Sequence, residues 1–279
     1  MSLNFVNRLL FFILLVQIKI LSQNYFIEQL QLADSLFKSQ NYFDAITEYK
    51  RLLFFDSLDH FRFYSNFQIG LCYKNGAKYS DAIRYFVLAE INATDDEDLF
   101  NSKIQQVRTN ILRRTTSRAE KILSEMGNDK RFEQHKNEIK YWRGWSFIFS
   151  DKWEDAYRIF SEIGETNLAQ ICLNTHDKLY SVEFAKYSSM IIPGFGQFYS
   201  GEYLSGLLSL AWNVFAGYLT INAFNQERIF DGIVTANLLW FRFYRGNFQN
   251  AEKFAEEKNI RISNEALFYL QNEFNGIKP

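Results

Sequence analysis

The residues best suited to acid–base or metal chemistry are scattered along this chain of 279 residues. Its three histidines, His60, His135 and His176, have no cysteine, histidine or carboxylate at metal-ligand spacing on the same predicted helix face. No G-x-S-x-G, H-E-x-x-H or paired-cysteine motif occurs. Residues distant in sequence could still meet in the fold, but the sequence itself predicts a protein that is not an enzyme and holds no cofactor or metal.

Two charged runs could bind ions, nucleic acid or lipid headgroups, and both have a simpler explanation. The run 95–98 is acidic but lacks the glycine and later glutamate of a calcium loop, and the helix dipole explains carboxylates at a helix start. The segment 99–119 contains five basic residues and no carboxylate, with its charges pointing in several directions. Because the formal net charge is −1, we expect solvated faces and no nucleic-acid partner.

The composition favours long helices. Apolar residues make up 47% of the chain and aromatic residues 18%, and the only prolines are Pro193 and Pro279, so little interrupts a helix. Cys72 and Cys172 lie in apolar helical contexts, which predicts two buried free thiols rather than a disulfide.

A repeat surrounds Ala45, Ala82 and Ala156, which lie 37 and 74 residues apart and leave room for a degenerate copy near Ala119. Each of the three has a small residue twelve positions before it, an aromatic three before and another aromatic four after. This spacing predicts pairs of antiparallel helices in close contact. A lone pair cannot bury its apolar face, so the pairs must stack into a solenoid.

These positions resemble the tetratricopeptide repeat over about residues 24–164, although the repeat is longer than usual and lacks the closing proline. A plain helical bundle is the alternative. The resemblance implies that the first helix of each pair faces a partner. Apolar residues stand where some members clamp a carboxylate, so we expect an apolar helix or loop as protein partner, unless these aromatics are core. The candidate groove residues are Asp34, Lys38, Phe67, Leu71, Lys74, Asn75, Tyr141 and Trp145.

The last third of the chain is more apolar. No charged residue occurs in 203–226, and Leu204–Phe224 is long enough to cross a bilayer. A second run, Ile229–Tyr244, is shorter and includes Asp231 and Arg242. We expect a helical hairpin in membrane lipid around 203–245, with the polar face of its first helix against protein. A hairpin buried in a soluble domain is the alternative.

The segment before these runs resembles the PG-x-GQ-x-Y-x-G opening of a small, uncharacterised two-span bacterial membrane domain. The similarity covers about residues 186–258 and extends to a closing segment, 243–251. This domain sometimes follows tetratricopeptide repeats in envelope proteins, so the resemblance implies a location. A phosphate loop is excluded because no Lys-Ser/Thr follows. The motif residues are Pro193, Gly194, Gly196, Gln197, Tyr199 and Gly201.

The two ends of the chain complete the predicted organisation. Residues 1–23 carry Arg8 before eight consecutive apolar residues, which is typical of a signal peptide or N-terminal anchor, the alternative being a first cytosolic helix. At the other end, Ser263 could cap a separate helix, Asn264–Phe274, within an amphipathic segment 259–279 that docks on the preceding helix.

Together these patterns predict an all-α protein: a tetratricopeptide-like helical-repeat solenoid at 24–185, followed by a hydrophobic membrane hairpin domain at 186–258. We expect a non-enzymatic scaffold of the cell envelope, with the repeats exported to the periplasmic side of the inner membrane. Two alternatives are a membrane protein that handles lipids or small molecules through the hairpin, and a soluble interaction protein.

Overall fold

The computed structural model describes residues 25–56 and 58–279, and every regular element within those ranges is helical. The all-α fold class is therefore confirmed. The signal or anchor segment predicted at 1–23 lies outside the described residues. The chain divides into two compact units, the first ending at Glu165 and the second covering Thr166–Lys278.

The first unit is a series of paired helices. From α2 onward, each helix packs on the next one along the chain, so that the pairs stack in sequence order. A 3-10 helix at Lys130–His135 separates the third pair from the fourth. The helices are α1 (25–38), α2 (Tyr42–Phe55), α3 (Arg62–Asn75), α4 (Tyr79–Ile91), α5 (Asp96–Leu112), α6 (Thr116–Asn128), α7 (Lys136–Ile148) and α8 (Trp153–Glu162).

The spacing of the repeat follows from one contact within a pair. A Cβ added to Gly70 in α3 would lie 2.6 Å from the ring of Phe86 in α4, and one added to Gly144 in α7 would lie 2.5 Å from Phe160 in α8. The small residue therefore leaves the space that the aromatic ring fills. The pair α5–α6 stands where the degenerate copy was expected, with Ala119 fully buried. These helix pairs are repeat-like, and their assignment to the tetratricopeptide family stays a prediction.

The second unit, all of which the structure describes, consists of six α-helices and one π-helical turn. Its helices are α9 (Thr166–His176), α10 (Val182–Ile191), α11 (Phe195–Tyr199), α12 (Tyr203–Asn225), α13 (Ile229–Thr235) and α14 (Phe241–Asn272). A π-helical turn, Ala236–Trp240, joins α13 to α14 without a break. α12 packs against α11, α13, the π turn and α14, while α10 packs against α11 and α14.

The separate closing helix predicted at Asn264 is wrong. Ser263 lies buried inside α14, whose backbone stays helical from Phe241 to Asn272. A serine favours a helix start only where the chain turns, and no proline or turn signal interrupts this segment. The apolar face itself is confirmed, since Leu267 and Leu270 are buried, and α14 also contacts α9.

Candidate functional site

The first candidate surface is formed by α1, α3, α5 and α7, the first helices of the pairs. Asp34 in α1 accepts hydrogen bonds from the hydroxyls of Tyr49 (2.6 Å) and Tyr64 (3.0 Å). Burial and these bonds raise the pKa of both tyrosines, that of Tyr64 to about 12. Asp34 thus links α1 to α2 and α3, which is a structural role whether or not a partner binds.

The aromatic groove candidates differ in exposure. Trp145 is 1% exposed and belongs to the core. Phe67 is half-buried, with its ring 5.7 Å from Phe86, and Tyr141 is half-buried, with its ring 5.8 Å from Phe160. In this conformation the groove therefore offers partly covered rings rather than a free aromatic surface. Of the remaining candidates, Leu71 and Lys74 are half-buried, and Lys38 and Asn75 are exposed.

A cationic cluster lies on the same face. The Lys74 ammonium donates a hydrogen bond to Gln105 Oε1 (3.2 Å), and the Arg108 guanidinium lies 4.6 Å from the centroid of the Trp142 ring. Burial, and next the charge of Arg108, lower the pKa of Lys74 to about 7. Burial also lowers the pKa of Arg108, an effect that Glu138 partly offsets. Two half-buried cations on one face can attract a carboxylate.

Sequence reasoning placed Arg108 in a solvated basic run and so missed this cluster. That run is indeed divided: Lys103 pairs with Glu90 at 2.6 Å, while Arg108 packs on Trp142. The one feature of the sequence that could have indicated the cluster is that Arg108 lies in a segment without carboxylates. The partner tryptophan, 34 positions later in the chain, could not be inferred from spacing on one helix.

The second candidate surface begins at the glycine-rich motif between α10 and α12. Gly194 has φ +93°, and a Cβ at this position would collide with the backbone oxygen of Gly206 in α12. A Cβ at Gly196 would collide with the backbone oxygen of Ala185 in α10. Gly201 also has a positive φ, at the turn before α12, and Pro193 follows the end of α10. The small residues let three backbone segments approach closely.

A buried hydrogen-bond network centred on Asn247 ties the motif to α14. Its Oδ1 accepts from the Gly194 N–H (2.7 Å) and the Ser209 hydroxyl (2.8 Å), and its Nδ2 donates to the Ser189 carbonyl (2.6 Å). Gln197 Nε2 donates to the backbone oxygen of Asn247 (2.9 Å). Asn247, Gln197 and Ser189 are almost completely buried, so the motif glutamine acts as a link between helices.

The rest of the motif extends this link. The Tyr199 hydroxyl accepts a hydrogen bond from the Ser181 N–H (3.0 Å) at the start of α10. Asn247 belongs to the segment expected to close the domain, but its role as the hub was not predicted. Nor were Ser189 and Ser209, because these contacts join residues far apart in the chain. Only the recurrence of small polar residues in apolar helices could have hinted at them.

The surface of α12 has an inverted polarity. Its buried residues are Gly206, Asn213, Ala216, Gly217, Thr220 and Ala223, which confirms that its polar face packs against protein. Its outward face is apolar, and only 28% of the most apolar stretch is buried. Within the described residues, α12 is the one helix long and apolar enough to cross a membrane. Its exposed large apolar residues are Tyr203, Leu204, Leu207, Leu208, Trp212, Val214, Phe215, Tyr218, Ile221 and Phe224.

The apolar outer surface continues onto the next helix. Ile229, Phe230 and Ile233 in α13, Leu238 in the π turn and Phe241 at the start of α14 are all exposed. Asp231, near the start of this helix, pairs with Arg228 at 3.4 Å. We call α12 together with α13 and the π turn the apolar pair.

The remaining chemical candidates do not form a cluster. Cys72 and Cys172 are free and buried, as predicted, and burial raises the pKa of each thiol to about 12. Across residues 25–56 and 58–279, no group of three or more histidine, cysteine or acidic side chains is placed to hold a metal ion.

Comparisons of this chain with protein families, with curated proteins and with solved structures returned no match.

Proposed function

We propose that this protein is a non-enzymatic binding scaffold of the cell envelope, held at the membrane by the apolar pair. The observation that carries the proposal is the inverted polarity of α12, with small and polar residues inside and large apolar residues outside. Helices that pack in lipid have this distribution, because small residues allow close contact and lipid solvates the large side chains.

The cost of leaving this surface in water supports the membrane assignment. Each large apolar side chain that stays in water forgoes roughly 1.5–3 kcal/mol relative to burial. Soluble monomers rarely expose a continuous apolar patch of this kind. α12 has 23 residues, so it is about 35 Å long at 1.5 Å per residue, which matches a hydrocarbon core of about 30 Å.

The polar residues at both ends of the apolar pair are consistent with this placement. Glu227 and Arg228 occupy the connection between α12 and α13, and the motif network occupies the opposite end. An aromatic side chain accompanies the motif end: Tyr203, the first residue of α12, is 70% exposed. Tyrosine at such a position is typical of a membrane boundary.

The first unit supplies the binding activity in this proposal. The face of α3, α5 and α7 presents the half-buried rings of Phe67 and Tyr141 together with the cations Lys74 and Arg108. Such a face suits an apolar helix or loop that also carries a carboxylate. The export signal predicted at 1–23 would place this unit on the periplasmic side of the inner membrane.

Two glutamate variants with matched exposure test the membrane anchor. Val214 in the middle of α12 is 63% exposed, and Ile260 in α14 is 60% exposed. In water both substitutions by glutamate should be tolerated, whereas in lipid a carboxylate near the centre of a span costs about 2.5–3.5 kcal/mol. We expect Val214→Glu to reduce recovery of the full-length protein in carbonate-washed membranes, and Ile260→Glu to leave it unchanged.

Two results would overturn the anchor. The wild-type protein could remain in the soluble fraction after lysis, or both variants could partition into membranes like the wild type. For the binding half, in-cell crosslinking through a photoreactive residue at Asn75 should capture a protein partner, and crosslinking at exposed Lys121 on α6 is the matched control. Equal crosslinking from the two positions would argue against a partner on this face.

A further inference from the structure

A groove of about 600 Å³ lies between the first half of α12 and the start of α14. Its α12 wall includes Ser205, Ser209 and Asn213, which follow one another at four-residue intervals and therefore form a stripe on one helix face. Its α14 wall includes Arg242, Gly246 and Asn250 with the same interval. Five of these six residues have polar side chains, so polar groups line part of an otherwise apolar region.

Arg242 brings a positive charge to this groove. Its side chain is exposed and lies next to the stacked rings of Trp212 and Phe243. Trp212 is nine residues into α12, which is about 14 Å along the helix axis. Among the described residues, Glu202 is the one carboxylate that lines the groove, and it is paired with Lys258 at 3.3 Å. An anionic partner stabilises a guanidinium at that depth in a membrane.

Asn213 provides a buried hydrogen-bond acceptor beside this groove. Its side chain is 4% exposed and its Nδ2 donates to the Ser209 carbonyl at 2.8 Å. Its Oδ1 is buried and has no hydrogen-bond partner within the described residues. A buried acceptor without a donor is unfavourable, so a ligand hydroxyl that reached Asn213 would be bound.

Gly246 keeps the floor of the groove open. A Cβ added at this position meets no heavy atom within 4 Å, although the residue lies inside a long helix. A glycine there costs helix stability, and no close packing contact requires it. The open space lies one helical turn from Arg242 and leaves room for a ligand beside the guanidinium.

We propose that this groove binds the headgroup of an anionic membrane phospholipid, with its phosphate on Arg242 and a headgroup hydroxyl donating to Asn213. Charge complementarity favours the phosphate, and the exposed leucines of α12 beside the groove suit the acyl chains. Phosphatidylglycerol has both required groups. This inference rests on the proposed function, because the lipid enters from the bilayer that surrounds the apolar pair.

The test is a titration of detergent-purified full-length protein with short-chain phosphatidylglycerol, followed by native mass spectrometry. Arg242→Gln removes the charge, and Gly246→Leu extends a side chain into the groove from a position where an added Cβ meets no heavy atom within 4 Å. The matched control is Arg245→Gln, because Arg245 is exposed on the same helix but does not line the groove. We expect the first two variants to bind at least about tenfold more weakly, and the control to change less than about twofold.

Four results would overturn the lipid site. Equal losses from Arg242→Gln and Arg245→Gln would indicate general attraction to charge. Diacylglycerol of the same chain length binding as tightly would show that the phosphate is not recognised. Glycerol phosphate binding as tightly would indicate a soluble ligand. Unchanged binding by Gly246→Leu, with a wild-type melting temperature, would place the lipid elsewhere.

Failure of the lipid site can be told apart from failure of the membrane anchor. If the wild-type protein floats with liposomes but shows no preference among these ligands, only the lipid site is wrong. If the wild-type protein does not float with liposomes at all, the anchor is wrong, and the lipid site fails with it.

Discussion

The two units of this protein distribute polar and apolar residues in opposite ways. In α8 of the first unit, Trp153 and Phe160 are buried while Glu154 and Arg158 are exposed. In α12 of the second unit, small and polar residues are buried and the leucines and aromatics are exposed. Both elements are α-helices, so the difference lies in which side chains each one buries.

The comparison shows that the two units depend on different forces. The first unit removes large rings from water by fitting them over glycine or alanine, as Phe86 fits over Gly70. Rings also lie over glycines around α12, as Phe198 does over Gly206, but the residues that α12 itself buries are small or polar. The second unit is held together there by the hydrogen bonds of Asn247 and by close contacts between small residues, while the large apolar side chains of α12 remain exposed.

The largest effect should come from breaking the hub of the second unit. Asn247→Ala removes the partner of the Gly194 N–H, the Ser209 hydroxyl and the Ser189 carbonyl at once. We expect the free energy of unfolding to fall by about 2–4 kcal/mol, because these groups stay buried without partners. Thermal unfolding in detergent, followed by circular dichroism, measures the loss.

The control for this variant is Asn264→Ala, which removes an exposed asparagine from the same helix. Its melting temperature should stay close to that of the wild type. If Asn247→Ala melts at the same temperature as Asn264→Ala, hydrogen bonding does not stabilise the second unit, and the proposed difference between the units disappears.

An intermediate effect is expected from overfilling the core of the first unit. Gly70→Ala places a methyl group 2.6 Å from the buried ring of Phe86, so we expect a loss of about 1–3 kcal/mol in the free energy of unfolding. Gly127→Ala on α6 meets nothing within 4 Å and should instead stabilise the helix by up to about 1 kcal/mol. Urea unfolding midpoints of the two variants should move in opposite directions.

A shared direction would contradict that account. If both alanine variants are stabilised, Phe86 must move aside at little cost, and the repeat spacing would not reflect a tight contact. If both are destabilised, the loss is a general response to substitution in these helices rather than a consequence of the ring over Gly70.

The difference between the units also explains what the sequence could predict. The contact between Gly70 and Phe86 joins neighbouring helices at a fixed spacing that recurs along the chain, so the repeated pattern was enough to predict close helix pairs. The bond between Asn247 and Ser189 joins residues 58 positions apart and occurs once, so no pattern could reveal it. Local signals can even mislead: Ser263 has the type of a helix cap but lies in the middle of α14.

The candidate sites show the same difference between local patterns, which the sequence reveals, and contacts between distant residues, which it does not. The motif glycines were recognisable because close backbone approach admits no other residue at Gly194 and Gly196. The cationic cluster was not recognisable, since it depends on side chains from three helices, with Lys74 in α3, Arg108 in α5 and Trp142 in α7. Its half-buried charges are an exception in the first unit, where α8 buries its aromatic residues and exposes its charged ones.

A further effect should come from Lys74 in this cluster, and it depends on pH. Burial and Arg108 lower the pKa of Lys74 from 10.5 in the unfolded chain to about 7, while Glu138 and Tyr141 act on Arg108 itself. Between these pH values the folded state holds fewer protons than the unfolded state, so the contribution of Lys74 to stability becomes more favourable as the pH rises. Below about pH 7 the side chain is protonated in both states and this dependence vanishes.

Lys74→Met should therefore raise the urea midpoint most at pH 6.5, and its advantage over the wild type should shrink steadily toward pH 10. Lys121→Met, an exposed lysine on α6, is the control and should show no such trend. An advantage that is constant with pH would mean that Lys74→Met acts through apolar contact alone. Parallel trends in both variants would assign the pH dependence to the whole chain. Only a trend confined to Lys74 would show that the first unit keeps a charge partly buried on the proposed binding face at a cost to its own stability.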